Sequence, residues 1–237
     1  MIEFAEQTGS TNADLAAAIR RGAGWPEGSW LVARRQTAGR GRQGREWFDG
    51  AGNFMGSTAV ILGEGNPPPA SLSFVAALAV RDAAGGVLGD DAALGLKWPN
   101  DVLLDGGKLS GILLEMVRGQ IVVGIGVNLV RAPRIEGRKT AALADATGVP
   151  PVLEEFAASL AAAFEQRLAA WRTYGLGATL QAFLALSVHS QGSPLTVHDI
   201  DGSVVSGTFA GLEESDGGLR LRLADGRERV IRAGDIS

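Results

Sequence analysis

The chain has no cysteine, and that one absence removes disulfides, thiol nucleophiles and thiolate metal sites together. Histidine is almost as scarce: the two present, His189 and His198, both lie near the C-terminus. A Ser-His-Asp triad or a histidine-rich metal site in the main body is therefore excluded by inventory. Chemistry there must use arginine, lysine, carboxylates, amides and backbone. No apolar run approaches the ~18 residues of a membrane span, Phe74 to Val80 being the strongest candidate. Met1 to Gly9 has neither the basic nor the apolar region of a secretory signal. Together these absences predict a cytoplasmic protein with no membrane attachment.

Lysine is the next scarcity. Of 22 basic residues only Lys97, Lys108 and Lys139 are lysine, the rest being arginine. Where arginine supplies nearly all positive charge, a lysine points to a specific reason for its presence; an arginine bias alone is the alternative. Two of the three fall between Lys97 and Glu115. The net charge of −4 and pI of about 5.3 predict no general attraction to nucleic acid. What is present is apolar bulk, 46% of 237 residues, enough for one good-sized domain and a small module.

Periodicity sketches the elements. Ile2 to Ala5 reads as a short strand, and Ser10-Thr11-Asn12 as the cap of a helix over Ala13 to Arg21 with Asp14 in its first turn. Capping alone would explain that triplet, and a helix N-terminus also offers donors to a polar ligand. Strands are predicted at Ser29 to Arg34, Phe54 to Leu62, Leu94 to Trp98, Val102 to Leu104, Leu109 to Val117 and Ile121 to Val127. Helices are predicted at Ser71 to Ala84, Pro151 to Tyr174 and Leu180 to Leu186. The succession gives an α+β domain on a mixed sheet over residues 1–189. Ser190-Gln191-Gly192-Ser193-Pro194 marks a boundary. Beyond it, short strands at Leu195 to Val197, Val204 to Ala210, Gly218 to Leu223 and Arg229 to Ile231, joined by Asp-Gly turns, predict a small β-barrel over 190–237.

The densest signal is Gly39 to Trp47, where Gly39, Gly41 and Gly44 interleave with Arg40, Arg42 and Arg45 and an aromatic closes the run. Glycine at this density lets backbone N–H groups approach a ligand, and arginine forks suit phosphate and carboxylate oxygens. The bland alternatives are a solvated turn or an RGG-like nucleic-acid contact. The letters also satisfy G-x-G-x-x-G, but that fingerprint needs a helix at the third glycine, and Arg45 to Gly52 is too glycine-broken to form one. Repulsion among the arginines and the entropy of the glycines predict a loop that is mobile without ligand and closes over an anion.

A second block, Lys97-Trp98-Pro99-Asn100-Asp101, opens a strand-turn-strand unit ending in Lys108-Leu109-Ser110-Gly111-Ile112-Leu113-Leu114-Glu115. Pro99 ends the first strand, and Asn100 and Asp101 favour the turn. Lys108 follows two glycines and starts a strand, so its ammonium is expected at the end of the sheet, near any site built there. An ordinary edge-strand lysine is the alternative.

At this point the chain resembles the biotin protein ligases over nearly its whole length. Ser10-Thr11-Asn12 resembles the family's biotin-contacting triplet. Gln36 with Gly39 to Trp47 resembles its glutamine and GRGRxGRxW loop. Lys97 to Asp101 with Lys108 to Gly111 resembles its KWPND…KLxGIL block, and Gly124 to Asn128 its GxGxN strand end. The resemblance implies a mixed-sheet catalytic domain of the biotin/lipoate ligase type, similar to class II aminoacyl-tRNA synthetases, followed by an SH3-like barrel. It also implies a two-step reaction: biotin and ATP give biotinyl-5′-adenylate, then a lysine of a biotin carboxyl carrier domain, as in acetyl-CoA carboxylase, takes the biotin.

By position, the resemblance makes Lys108 and Arg42 the catalytic residues. Biotin would be bound by Ser10, Thr11, Asn12, Gln36, Gly39, Arg40, Gly41, Arg42, Lys108, Gly111 and Gly124. The ATP and adenylate side would be served by Arg40, Arg42, Arg45, Trp47, Lys97, Asn100, Asp101, Lys108 and Asn128, with Mg2+ arriving with ATP and its ligands undefined. Two departures matter. The first motif begins at Ser10, leaving no room for the N-terminal helix-turn-helix of some members, so a ligase without a repressor role is expected. Arg131 to Thr140, where the family has a second adenine-covering loop, is basic and holds no aromatic. Lipoate–protein ligase chemistry and a non-catalytic nucleotide or RNA binder are the competing readings. A monomer or a homodimer is expected.

Overall fold

The computed structural model describes residues 1–89 and 93–236. Among the described residues four helices and twelve strands succeed one another as β1 (Ile2–Ala5), α1 (Thr11–Arg20), β2 (Trp30–Ala33), β3 (Phe54–Ile61), α2 (Leu72–Leu88), β4 (Leu94–Lys97), β5 (Asp101–Leu104), β6 (Gly107–Val117) and β7 (Gln120–Val127). Then follow α3 (Leu143–Thr147), α4 (Leu153–Ala185), β8 (Pro194–Asp199), β9 (Val204–Leu212), β10 (Leu219–Arg222), β11 (Glu228–Ile231) and β12 (Gly234–Ile236). Seven strands form one sheet in the order β1-β2-β3-β7-β6-β5-β4, with β1 and β2 parallel and the other pairs antiparallel. The fold is thus α+β on a mixed sheet.

The two faces of that sheet follow from the alternation of its side chains. Phe54 and Val60 on β3, and Val123 and Ile125 on β7, point into the large core with α2 and α4. Ala59 and Val122, on the same strands but of opposite parity, pack with Leu15, Ala16 and Ile19 of α1. The short α1 covers only part of its face, and the uncovered part holds the site. Edge-on ring pairs, Trp30 with Phe164 at 5.4 Å and Phe54 with Phe156 at 5.8 Å, lock α4 to the sheet and add ~0.5–1.5 kcal/mol each beyond burial.

α4 runs for 33 residues, but Gly175 has φ +77° and ψ −174° and breaks it, so the two predicted helices are two arms of one kinked element. The short α3 is absent from the sequence expectation, because only Leu143 of its five residues is buried and no periodicity can show. α2 with its preceding turn, Pro69–Leu88, does reach the length and apolar composition of a membrane span, contrary to the expectation for the chain. It is instead a core helix: Leu72, Val75, Ala76, Ala77, Ala79 and Val80 are wholly buried between the sheet and α4.

The C-terminal strands form a second, antiparallel sheet in the order β11-β10-β9-β8-β12, an SH3-like module. Its β12, too short to read from alternation, is the strand missed in the sequence. Leu195, Val205, Leu219, Leu221 and Ile231 join the same apolar cluster as α2 and α4. The module is docked on the main domain by Trp98, whose Nε1 donates to the Gly217 carbonyl at 3.1 Å.

Candidate active site

A cleft of about 1150 Å³ opens where α1 leaves the sheet uncovered. That exceeds the ~300–1,000 Å³ of a pocket for one small ligand. Every residue expected from the sequence to act on biotin or the nucleotide lines it, from Ser10, Thr11 and Asn12 through Gln36, Arg40, Arg42, Arg45 and Trp47 to Lys97, Asn100, Asp101, Lys108, Gly111, Gly124 and Asn128.

One end of the cleft is a buried polar chain. Ser10 caps α1 with extended backbone, its Oγ accepting from Ala13 N–H at the long distance of 3.5 Å. The Thr11 N–H donates to Gln36 Oε1 at 2.7 Å, and the Thr11 hydroxyl lies 3.0 Å from the same oxygen. Thr11 Oγ1 is 2.7 Å from Ser57 Oγ, which donates to Asn12 Oδ1 at 2.6 Å. Asn12 Nδ2 in turn donates to Glu115 Oε2 at 2.8 Å. A Cβ on Gly124 would stand 2.1 Å from Asn12 Oδ1, so glycine there makes room for the amide.

The floor is set by a strand irregularity. β5 and β6 pair Val102 with Ser110 but Leu103 with Lys108, leaving Leu109 as an extra residue. Both Leu109 and Ile112 then point into the core, while Lys108 and Gly111 both line the cleft. Strict alternation would have put Lys108 on the face of Ser110 and Ile112; the bulge turns it outward. Its ammonium pairs with Asp101 at 2.7 Å. Beside it the Trp47 indole lies over two glycines: a Cβ at Gly126 would be 2.2 Å from the ring, and one at Gly111 3.0 Å. Trp47 therefore sits on the sheet floor beside Lys108, and its buried Nε1 has no hydrogen-bond partner among the described residues.

The Arg/Gly loop forms the roof. Gly41 N–H donates to Arg45 O at 2.7 Å and Trp47 N–H to Gly39 O at 3.0 Å, making a small hairpin closed by a tight turn over Arg42–Gly44. No helix follows Gly44, which disposes of the dinucleotide fingerprint. Arg42 donates to Asn100 Oδ1 at 2.9 Å and to the Gly234 carbonyl at 3.4 Å. Arg45 forms an ion pair with Asp235 of β12, and Arg42 lies 3.8 Å from the same carboxylate. Burial lowers the pKa of Arg42, while Asp235 and Asp101 oppose that shift. Burial alone would raise the Asp235 pKa, but the Arg45 hydrogen bond and the charges of Arg45, Arg42 and Arg138 outweigh it, and the net shift is downward.

Asn100 and Asn128 are spent on the scaffold. Asn100 Nδ2 donates to Ile112 O at 2.7 Å, and Asn128 Nδ2 to Lys108 O at 3.3 Å and Ala141 O at 3.1 Å. Arg40 is exposed on the loop. Lys97 lines the cleft at the β4 end, close enough that its charge, after burial, helps lower the pKa of His189. The basic segment after β7 is held by Asn53, which accepts from Val130 N–H at 2.9 Å and donates to Arg131 O at 2.7 Å. Its Ile135, about half exposed, is the large apolar side chain that this segment turns into the cleft.

Sequence reasoning missed Ser57, Glu115, Gly126, Asn53 and Asp235 as contributors. Glu115 and Gly126 lay inside quoted motifs without a role. Ser57 and its neighbour Thr58 are the two polar residues of an otherwise apolar strand, a signal that could have been used. Asp235 carries none, because it is brought to the loop by the docking of a separate module. Among the described residues no three His, Cys, Asp or Glu side chains group as a metal cage.

Residues 4–129 match the model of the biotin/lipoate A/B protein ligase family and residues 192–237 that of the biotin protein ligase C terminal domain. The chain belongs to the biotin/lipoate A/B protein ligase family. Within it, the chain is 41% identical to a biotin–[acetyl-CoA-carboxylase] ligase of Paracoccus denitrificans, over 97% of each chain. A protein of the same description from Mycobacterium tuberculosis is 36% identical over 99% of this chain and 88% of that one. Among solved structures, the biotin protein ligase from Aquifex aeolicus in complex with biotin and ATP superimposes with a TM-score of 0.85 and 25% identity, covering 100% of this chain and 97% of that one.

Proposed function

We propose that the protein is a biotin protein ligase, an AMP-forming carbon–nitrogen ligase that uses biotin and ATP. In the first step a biotin carboxylate oxygen attacks the α-phosphorus of ATP, the bond to the β-phosphate oxygen breaks, and pyrophosphate leaves. In the second, an acceptor lysine amine attacks the acyl carbon, loses a proton, and AMP departs. No covalent enzyme intermediate is required, which fits a chain without cysteine.

The observation that carries this reading is Lys108, turned by its bulge to the junction of the polar chain and the arginine roof. Two anions must meet there, and a cation already held by Asp101 can exchange that partner for carboxylate and phosphate oxygens. Thr11, Asn12, Gln36 and Ser57 offer the donors and acceptors that a ureido ring needs. Trp47 over Gly111 and Gly126 offers an apolar wall for the acyl chain. Arg40, Arg42 and Arg45 cover the phosphates, with Ile135 supplying an apolar surface on the nucleotide side. Magnesium would enter on the nucleotide's phosphates; of the carboxylates that line the cleft, Asp101 is the one paired with Lys108. The acceptor is the biotin carboxyl carrier domain of acetyl-CoA carboxylase, and the protein works in the cytoplasm.

Biotin with MgATP is expected to release pyrophosphate and leave an adenylate that stays with the protein through gel filtration. Lipoate should not support that release. Equal release with lipoate and biotin would move the assignment to lipoate ligation.

A further inference from the structure

Glu115 lies outside the lining of the cleft, yet it ends the polar chain that lines it. Its carboxylate accepts only, whereas the hydroxyls of Thr11 and Ser57 can donate or accept. The orientation of the Asn12 amide therefore rests on Glu115: with Nδ2 held at 2.8 Å, Oδ1 is turned onto Ser57. Two hydroxyl protons then face three oxygen–oxygen contacts, of 2.6 Å (Ser57–Asn12), 2.7 Å (Thr11–Ser57) and 3.0 Å (Thr11–Gln36). The two short contacts take the protons. Thr11 donates to Ser57 and Ser57 to Asn12, while Gln36 Oε1 keeps the Thr11 N–H at 2.7 Å. With the amide reversed, Asn12 would donate to Ser57, Ser57 to Thr11 and Thr11 to Gln36. The sense of the chain decides whether Thr11 Oγ1 turns a lone pair or a proton toward the Gln36 side.

We propose that Glu115 is a positioning residue for substrate recognition: by fixing the Asn12 amide it sets the donor–acceptor sense with which the chain meets a cyclic urea. The proposal rests on the ligase reading above, and it names what that site measures in its acid substrate.

The experiment compares biotin-dependent pyrophosphate exchange in the wild type, Glu115→Leu, Glu115→Gln, Asn12→Ala and the Asn12→Ala/Glu115→Leu double variant. Biotin is set against 2-iminobiotin, whose ring carries a C=N group in place of the urea carbonyl. Glu115→Leu is expected to raise KM for biotin about 10- to 100-fold with KM for ATP unchanged, the scale of one lost charge-assisted hydrogen bond. Discrimination against 2-iminobiotin should shrink with it. Glu115→Gln, whose Oε1 can still accept from Asn12, should restore most of the KM and leave discrimination between the two extremes. In the Asn12→Ala background the leucine should add nothing. A wild-type KM for biotin in Glu115→Leu, additive effects in the double variant, or a parallel rise in KM for ATP would each overturn the proposal. Should Glu115→Leu not fold, unchanged discrimination in Glu115→Gln would do so. Absence of exchange in the wild type strikes the ligase reading instead.

Discussion

At the scale of single residues, the scarce lysine is the position on which most depends. Lys108 has a bulge to aim it and a carboxylate at 2.7 Å to hold it between turnovers. Lys108→Ala is expected to slow adenylate formation by at least about 100-fold, or ~2.7 kcal/mol in the barrier, in a pyrophosphate-release assay. Lys139→Ala should do far less, because that ammonium is tied to the Asp105 carbonyl at 2.5 Å on the exposed side of the segment. Arg42 contributes differently. It is bonded to Asn100 in the roof, and its expected role is to retain an adenylate rather than to form one. Arg42→Gly should still release pyrophosphate but lose the intermediate, and mass spectrometry should find biotin on lysines of bystander proteins. Labelling confined to the carrier domain would contradict that role.

The roof loop behaves as an element with its own balance of forces. Composition alone gives repelling arginines and costly glycines, hence the expectation of a mobile loop. Two anchors that composition does not show oppose this: Trp47 seated on Gly111 and Gly126, and Asp235 bridging Arg42 and Arg45. Trypsin should therefore cut after Arg40 before it cuts after the half-buried Arg42, and biotin plus ATP should suppress both cleavages. The Asp235 contact also has a pH signature. Its folded pKa lies below the ordinary aspartate value of 3.8, so the unfolded chain binds the proton more readily. The stabilisation is thus complete above that ordinary value and is lost as pH falls through the lower, folded one. Thermal melts of wild type and Asp235→Asn should differ by a constant amount near neutral pH and converge in strong acid. Convergence on the alkaline side would reverse the assignment.

At the scale of the whole molecule, the two modules named by composition share one apolar core. Gly217, at φ +78°, is where they meet most tightly: a Cβ there would lie 2.4 Å from the Phe74 ring. Gly217→Ala should destabilise the protein by ~1–3 kcal/mol, combining backbone strain with overpacking, and lower its melting temperature. Ending the chain at 189 should do more, since it uncovers Trp98 and Phe74 and removes Asp235 from the roof together. The truncated protein is expected to melt early and to lose adenylate formation. A truncated protein as stable as the whole would show that the shared core is not needed.

The sequence by itself determined most of the elements, α3 and β12 excepted, and picked out residues that line the cleft. Apolar periodicity carries helix and strand in a single chain segment, and Ser10 to Asn12, Gln36, the Arg/Gly run and the Lys97 to Gly111 block are local strings whose chemistry is visible in their letters. It did not determine which way those letters face. Lys108 reads as a strand residue on the wrong parity until pairing with β5 inserts the bulge, because register is a property of two strands. Gly126 reads as flexibility until Trp47 arrives from 79 positions earlier to occupy its missing Cβ. Glu115 and Asp235 act only through partners about 100 and 190 positions away, |i−j| of 103 and 190. Tertiary structure decided those roles, for hydrogen bonds and ion pairs depend on separation in space, which no spacing along the chain encodes.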